Sequence, residues 1–329
     1  MSHSLKLLSL LADGRFRSGE FLGRELGLSR GAVWKQIQGL KNLGVECHSV
    51  KGKGYRLAAP LELLQLEAIL ASVDERARNL LPDIEIHQDI HSTNRHLMER
   101  LGALQCGHVC LAERQTAGRG RRGRSWVSPF GRNIYLSLYW RYSLSPPELS
   151  GLALAVGVAV AEALHALGVE GAALKWPNDV LWRQRKLAGI LLEMSGEAAG
   201  PYHVVVGIGL NVRMGAGPAD EIDQPWSDIT SALGREVSRN QVAGILIGAL
   251  LQTLERYQRE GFQPFRQAWQ RYDAYIGQEV SLQSPRETVS GVMRGVDASG
   301  ALLLETANGL HTFHSGEVSL RPKVVDPCC

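Results

Sequence analysis

Residues 118–126 read Gly118-Arg119-Gly120-Arg121-Arg122-Gly123-Arg124-Ser125-Trp126, GRGRRGRSW, with four arginines and three glycines in nine positions. Arginine offers forked donors to oxyanions, and glycine lets a backbone approach a ligand closely. Three readings compete: a phosphate loop at the mouth of a helix, a disordered basic tract for nucleic acid, and an ordered loop over a small anion. Gly118–Ser125 nearly spells G-x-x-x-x-G-K-[ST], with Arg124 in the lysine's place. That motif needs a strand before it and a helix behind it, because the helix N-terminus completes the anion site. HVCLAE (108–113) supplies the strand, but WVSPFGRN (126–133) brings Pro129 and Gly131, and then NIYLSLYW (133–140) alternates as a second strand. With no helix to open, the phosphate-loop fold is excluded. A tract this short between two strands also makes a poor disordered arm. What remains is a glycine-rich loop whose arginines and N–H groups enclose an anionic small molecule, or a solvated basic hairpin.

Outward from the loop, IEIHQDI (84–90) reads as a strand, and Ser92, Thr93 and Asn94 open a helix in HSTNRHLMERL (91–101). A long helix is expected over Pro147–Leu167, apolar but interrupted by Glu162 and His165, so buried rather than membrane-spanning. Further strands fall at ALKW (173–176), AGILLEM (188–194) and HVVVGIGLNV (203–212). Asn240–Arg259 carries Val242, Leu246, Leu250 and Leu254 at helical spacing. Strands and helices are mixed rather than strictly alternating, which predicts an α+β fold with a mixed sheet rather than a doubly wound one. Residues 277–320 are strands separated by Gly, Pro and Asn turns, predicting a small C-terminal β-barrel.

The N-terminal part has a different character. Residues 1–60 hold ten Lys/Arg against four Asp/Glu, a net +6, which leaves −3 on the remainder of a chain whose total is +3. A basic head on a mildly acidic body indicates different partners for the two. In the head, Ser18 precedes the helical GEFLGREL, Gly27 ends it, and Ser29 caps RGAVWKQIQGLKNLG. Val33, Ile37, Leu40 and Leu43 form the inner stripe, and Arg30, Trp34, Lys35, Gln38 and Lys41 the free face. VECHSV and YRLA then flank Lys51-Gly52-Lys53-Gly54, a basic wing. Turn, recognition-type helix and wing in this order point to a winged helix-turn-helix that binds DNA. Lysines supply only salt-sensitive affinity, so polar residues such as Arg30 and Gln38 would have to read bases. The domains expected are residues 1–62, 63–275 and 276–329.

Composition is that of a soluble globular protein, with 44% apolar and 21% charged residues and no signal-peptide pattern. Five cysteines, an odd number, predict reduced thiols and a cytoplasmic protein; Cys106 and Cys110 show no partners at zinc spacing, and Cys328-Cys329 reads as a frayed tail. Three more stretches bear chemistry. KWPND (175–179) ends a strand with turn formers that could equally hold a cation or polyphosphate. RKLAGILLE places Lys186 at the entrance to an apolar strand, and GIGLNV (207–212) ends a strand with two glycines and Asn211.

Together these stretches resemble one family over nearly the whole chain: the biotin–protein ligases, of the bifunctional kind that also represses the biotin operon. The likeness rests on the winged head, STN (92–94), QTAGRGRRGRSWVSPFGRNIYLSL (115–138), KWPND, KLAGIL (186–191), GIGLN and GEVSLR (316–321). It implies a two-step reaction, in which biotin is activated by MgATP to biotinyl-5′-adenylate and then transferred to a lysine of the biotin carboxyl carrier protein of acetyl-CoA carboxylase. Biotin, ATP and Mg2+ are thus implied. So are operator DNA of biotin genes and a homodimer formed when the adenylate is bound, with no membrane partner. By family match, the biotin slot comprises Ser92, Thr93, Asn94, Gln115, the Gly118/Arg119 backbone, Trp126, Gly189 and Ile190. Arg119, Arg121 and Arg122 would offset phosphate charge, while Lys186 would hold the carboxylate and then the acyl-phosphate. Asn178 and Asp179 would organise metal and pyrophosphate, with Asp179 as the Mg2+ ligand. Asn211, Trp226 and Arg321 would approach the nucleotide. Lys186, Arg121 and Asp179 form the implied catalytic set. Ser29, Arg30, Trp34, Lys35, Gln38, Lys51 and Lys53 form the DNA-facing set. Val127 departs from the family pattern, which has an aromatic after the tryptophan.

Overall fold

In the computed structural model the described residues are 3–196, 200–215, 222–284, 287–314 and 319–322. The Cys328-Cys329 tail lies outside them.

The head is built from α1 (His3–Leu11), α2 (Gly19–Leu26), α3 (Arg30–Leu40), β1 (Cys47–Val50) and β2 (Gly54–Leu57). Ser18 Oγ accepts from Phe21 N at 3.0 Å, and Ser29 Oγ from Ala32 N at 3.3 Å, satisfying donors that each helix start leaves open. Gly27, at φ 68°, makes the left-handed turn between the helices. Leu22, Val33, Ile37 and Leu40 close over α1, which exposes the opposite face of α3. Arg30, Lys35, Lys51 and Lys53 are exposed and Gln38 half-buried. Trp34 is 52% exposed, a large aromatic left in water on the basic face.

The head is anchored to the body. Leu61, Leu63 and Phe130 join its apolar cluster, and Arg114 Nη1 donates to Asn42 O at 2.6 Å. The Glu62 carboxylate accepts from Arg239 N and Ser238 Oγ, each at 2.6 Å.

In the body, α4 (Leu66–Leu70) and α5 (Glu75–Arg78) precede β3 (Ile84–His87), α6 (Thr93–Met98), β4 (Val109–Ala112), β5 (Ile134–Tyr142) and α7 (Leu152–Ala166). Then follow β6 (Ala172–Lys175), β7 (Asp179–Trp182), β8 (Arg185–Ser195), β9 (Tyr202–Leu210), α8 (Ile229–Leu233), α9 (Arg239–Glu260) and α10 (Gln263–Tyr272). Seven strands form a mixed sheet in the order β3-β4-β5-β9-β8-β7-β6, with only β3 and β4 parallel. The expected α+β class is therefore correct.

The alternation of β5 leads one to expect a polar face, yet Ile134–Trp140 is buried throughout. Leu136, Leu138 and Trp140 face the core of α7 and α9, while Tyr139 packs with Cys110, Val205 and Leu97 of α6 on the opposite face. A strand covered on both sides gains nothing from polar alternation. The long helix starts at Leu152 instead of Pro147, because Ser145–Gly151 forms turns at Pro146-Pro147. Strand β7 and helices α4, α5, α8 and α10 are additions to the elements expected from sequence. DVLW (179–182) is too short to stand out beside the turn formers that precede it, yet it pairs with both β6 and β8.

The C-terminal unit holds β10 (Glu279–Gln283), β11 (Thr288–Val296), β12 (Leu302–Thr306), β13 (Gly309–Phe313) and β14 (Ser319–Pro322), in the order β13-β12-β11-β10-β14. Among the described residues the unit is a small antiparallel sheet, and closure of the expected barrel through a β13–β14 pairing is not seen. Trp176 Nε1, donating to Gly300 O at 3.1 Å, fastens it to the body.

Asp273, at the end of α10 and 8% exposed, sits where the chain crosses into this sheet. Its Oδ1 accepts from Tyr275 N at 3.0 Å, but its buried Oδ2 has no partner among the described residues. Burial raises its pKa to about 6, whereas an unfolded aspartate titrates near about 3.9. The folded chain thus holds this proton more tightly, so its stabilisation is complete below the unfolded pKa and is lost as pH rises through about 6. Asp273→Asn is expected to stabilise the protein by about 1–3 kcal/mol at pH 8, with the gain shrinking towards pH 5. Urea melts of both proteins across that range check it; a pH-independent difference contradicts it.

Candidate active site

The arginine loop leaves β4 at Glu113 and returns to β5 at Asn133, and one buried arginine ties the two ends. Arg239 Nη1 meets Glu113 Oε2 at 2.8 Å, its Nη2 donates to Asn133 O at 2.8 Å, and both charged side chains are under 5% exposed. Within the loop, Arg119 and Ser125 form a bridge, and Trp126 N donates to Gly118 O at 2.9 Å. No helix follows, as the sequence required. The loop is a lid over β8 and β9, and between them lies a cleft of about 410 Å³, a size suited to a small ligand.

One end of the cleft is polar and neutral. Ser92 caps α6, so Thr93 and Asn94 on its first turn face the sheet. Gln115 Oε1 accepts from Thr93 N at 2.9 Å, and Ser137 Oγ lies 2.7 Å from Thr93 Oγ1 and 2.5 Å from Asn94 Oδ1. Asn94 Nδ2 donates to Glu193 Oε2 at 2.8 Å. This network presents amide and hydroxyl groups to a polar, uncharged ring. It depends on Gly207, where an added Cβ would stand 2.2 Å from Asn94 Oδ1.

The middle is apolar. Trp126 lies on the strands with Leu136, Ile190 and Ile208 around it. A Cβ at Gly209 would meet the indole at 2.4 Å, so the two glycines of GIGLN are there for close approach of side chains from the lid and from α6. Trp126 Nε1 is buried with no hydrogen-bond partner among the described residues, a donor available to a ligand.

The far end is cationic. β7 starts at Asp179 and pairs with β8, so Lys186 Nζ reaches Asp179 Oδ1 at 2.8 Å and also lies 5.4 Å from the centre of the Trp126 ring. Lys175 Nζ is 3.9 Å from Asp179 Oδ2. Burial lowers the Lys175 pKa; Asp179 opposes that shift, while Arg321, Lys186 and Arg124 add to it. Arg121 Nη1 donates to Asn178 Oδ1 at 3.2 Å, and burial lowers its pKa too. Cations crowding one carboxylate make this end of the cleft suited to an anionic ligand.

Ser92, Thr93, Asn94, Gln115, Arg119, Arg121, Arg122, Trp126, Asn178, Asp179, Lys186, Gly189, Ile190, Asn211, Trp226 and Arg321 all line this one cleft. Gly118 does not; it packs behind Trp126 and Gln115 at the base of the loop. Arg119 lies against Glu193 at 3.2 Å, towards the neutral end and away from the phosphate-ready cations. Asn211 is buried and donates to Ser227 O (3.0 Å) and Lys186 O (3.4 Å), so it braces the strand that carries Lys186. Val127 lines the cleft where the expected aromatic would stand. Sequence reading left Lys175, Arg124, Ser137 and Glu193 without assigned roles. KWPND and the arginine loop contain the first two. Ser137 and Glu193 sit mid-strand with no local signal and become visible only through pairing. None of the seven DNA-facing head residues lines the cleft.

Comparison with known proteins adds three matches along the chain. Residues 87–211 match the biotin/lipoate A/B protein ligase family, residues 275–321 the biotin protein ligase C-terminal domain, and residues 3–56 an HTH domain. The chain is 43% identical to the bifunctional ligase/repressor BirA of Salmonella typhimurium, covering 96% of this chain and 97% of that protein. Against BirA of Escherichia coli the identity is 42%, with the same coverage. Among solved structures, the biotin protein ligase of Aquifex aeolicus in complex with biotin and ATP aligns with TM-score 0.65 and 31% identity, over 74% of this chain and all of the other.

Proposed function

The chain belongs to the biotin protein ligases, among the bifunctional ligase/repressors, and from that premise we propose how its residues divide the work. The protein joins biotin to ATP as biotinyl-5′-adenylate, then delivers biotin to a lysine of the carboxyl carrier protein of acetyl-CoA carboxylase. Its head binds operator DNA with the adenylate as corepressor, as a homodimer. One observation carries the catalytic reading: a single cleft runs from a neutral hydrogen-bonding end, past an apolar middle, to a cluster of cations. Biotin has that order of chemistry, with a ureido ring, an aliphatic chain and a carboxylate that meets a phosphate.

In the first step a biotin carboxylate oxygen bonds to the α-phosphorus, the bond to the bridging oxygen breaks, and pyrophosphate leaves. Two anions must approach each other, so the barrier is largely electrostatic and positional. Lys186 neutralises the carboxylate and then stays beside the bridging oxygen of the mixed anhydride. Arg121, Arg122 and Arg321 hold phosphate oxygens. When bound, Mg2+ would add charge neutralisation for the leaving pyrophosphate. Asp179 is the carboxylate at the cationic end of the cleft that can hold it, and one carboxylate plus substrate phosphates suits that ion. In the second step the acceptor amine attacks the acyl carbon and AMP leaves.

Lipoate is the nearest rival substrate. Its dithiolane ring lacks ureido groups, so it gains none of the hydrogen bonds that Thr93, Asn94 and Gln115 can offer a ureido ring, each worth about 0.5–1.5 kcal/mol.

The repressor reading rests on the exposed basic face of α3 and the wing. Retention of labelled operator DNA should tighten at least tenfold when biotin and ATP are supplied together, and lose most of its sensitivity in Arg30→Ala and Lys35→Ala. Retention indifferent to both ligands leaves only constitutive binding.

A further inference from the structure

On the face of the sheet behind the neutral end lies a cluster of side chains that the ligase chemistry does not use. Sequence spacing gave Cys110 no metal-binding partner. The parallel register sets Glu85 beside Cys110, and α6 lays His96 across them. Glu85 Oε2 stands 3.1 Å from His87 Nε2 and 2.9 Å from His96 Nε2, while Glu85 Oε1 stands 2.6 Å from His108 Nε2. One nitrogen each of His87 and His96 and the sulfur of Cys110 lie within 4.8 Å of one another.

Protons alone leave this arrangement frustrated. His96 Nε2 is 2.9 Å from the Glu85 carboxylate and also 2.8 Å from Arg100 Nη1. A single ring nitrogen either donates or accepts. As N–H it satisfies Glu85 and opposes the guanidinium; as a lone pair it accepts from Arg100 and opposes the carboxylate. A divalent cation removes the conflict, because both imidazole lone pairs and the carboxylate then point at positive charge. Ligand atoms that share a tetrahedral ion at about 2.0–2.3 Å stand about 3.3–3.8 Å apart, inside the 4.8 Å within which the two imidazole nitrogens and the Cys110 sulfur lie. Imidazoles with a thiolate select borderline-soft d-block ions over Mg2+ or Ca2+. Arg100, 40% exposed, also pairs with Glu85 Oε1 at 2.5 Å, so it keeps a carboxylate partner when it turns away from His96. Cys110 is fully buried, and its thiol, pushed up to about 12 by burial and by the Glu85 charge, gives up its proton to bind the ion.

We propose that His87, His96 and Cys110 form a binding site for a divalent transition-metal ion of the zinc class, with the Glu85 carboxylate beside the two imidazoles. The ion would clip α6 to β3 and β4, and so steady the helix whose first turn, Thr93 and Asn94, lines the cleft. His108 keeps its hydrogen bond to the other Glu85 oxygen and orients it. The site stands independently of the ligase reading.

The test is titration of the metal-stripped, tag-free full chain with CoCl2 alone. One equivalent is expected to bind, with intense tetrahedral d–d bands and a near-ultraviolet sulfur-to-cobalt band, both displaced by ZnCl2. Cys110→Ser should lose the sulfur band and bind at least tenfold more weakly, and His87→Ala with His96→Ala should bind at least a hundredfold more weakly. Should the double variant fail to fold, His96→Gln alone is expected to weaken binding at least tenfold. Failure of the wild-type chain to take up cobalt, a sulfur band that survives Cys110→Ser, or binding undiminished in the histidine variants overturns the proposal.

Discussion

Lys186→Ala is expected to slow biotin-dependent pyrophosphate release by about two to three orders of magnitude, equivalent to roughly 3–4 kcal/mol of transition-state stabilisation. The Lys186 ammonium lies 2.8 Å from Asp179 and above the Trp126 ring, with its side chain only 17% exposed. Its charge is therefore poorly screened, and in the proposed reaction it stands where carboxylate and phosphate meet. The folded protein should tolerate the change, since Lys175 remains 3.9 Å from Asp179 and keeps that carboxylate compensated. Single-turnover pyrophosphate release, with a melting curve alongside, checks the expectation. Release at the wild-type rate removes Lys186 from the chemistry.

Arg121→Gly should act on a different quantity. Arg121 reaches from the lid to Asn178 at 3.2 Å, and Asn178 is held to β8 by its own bond to Ile190 O at 2.8 Å. The Arg121 side chain is thus a latch between lid and sheet, as well as a charge proposed to face the phosphates. Without it the adenylate should still form, but escape at least tenfold faster and modify lysines on bystander proteins. Chasing pre-formed labelled adenylate with unlabelled biotin measures the escape directly. A bound lifetime equal to that of the wild type would leave Arg121 as a solvated loop residue.

Much of this was legible in the sequence. GRGRRGRSW told against a phosphate loop because Pro129 and Gly131 follow it, and the chain does run from the loop straight into β5. Ser92, Ser18 and Ser29 cap helices as their chemistry requires. Other features were hidden for physical reasons. β5 alternates, but lies between two helical layers, so its alternation carried no information about water. β7 is four residues long and gains its stability from its two neighbours. Ser137, Glu193 and the cluster around Glu85 are assembled by strand register, and register cannot be read from any one segment. The direction of Arg119 was hidden in the same way, since its partner Glu193 lies 74 residues away in sequence.

The central claim is that one cleft activates biotin at its cationic end and passes it to a protein lysine. The most direct measurement incubates the protein with labelled biotin, ATP and a carrier-domain acceptor, with labelled lipoate in a parallel reaction. The account predicts ATP-dependent labelling of one acceptor lysine by biotin, with lipoate at or near background. No transfer, transfer without ATP, or lipoate used as well as biotin would contradict it.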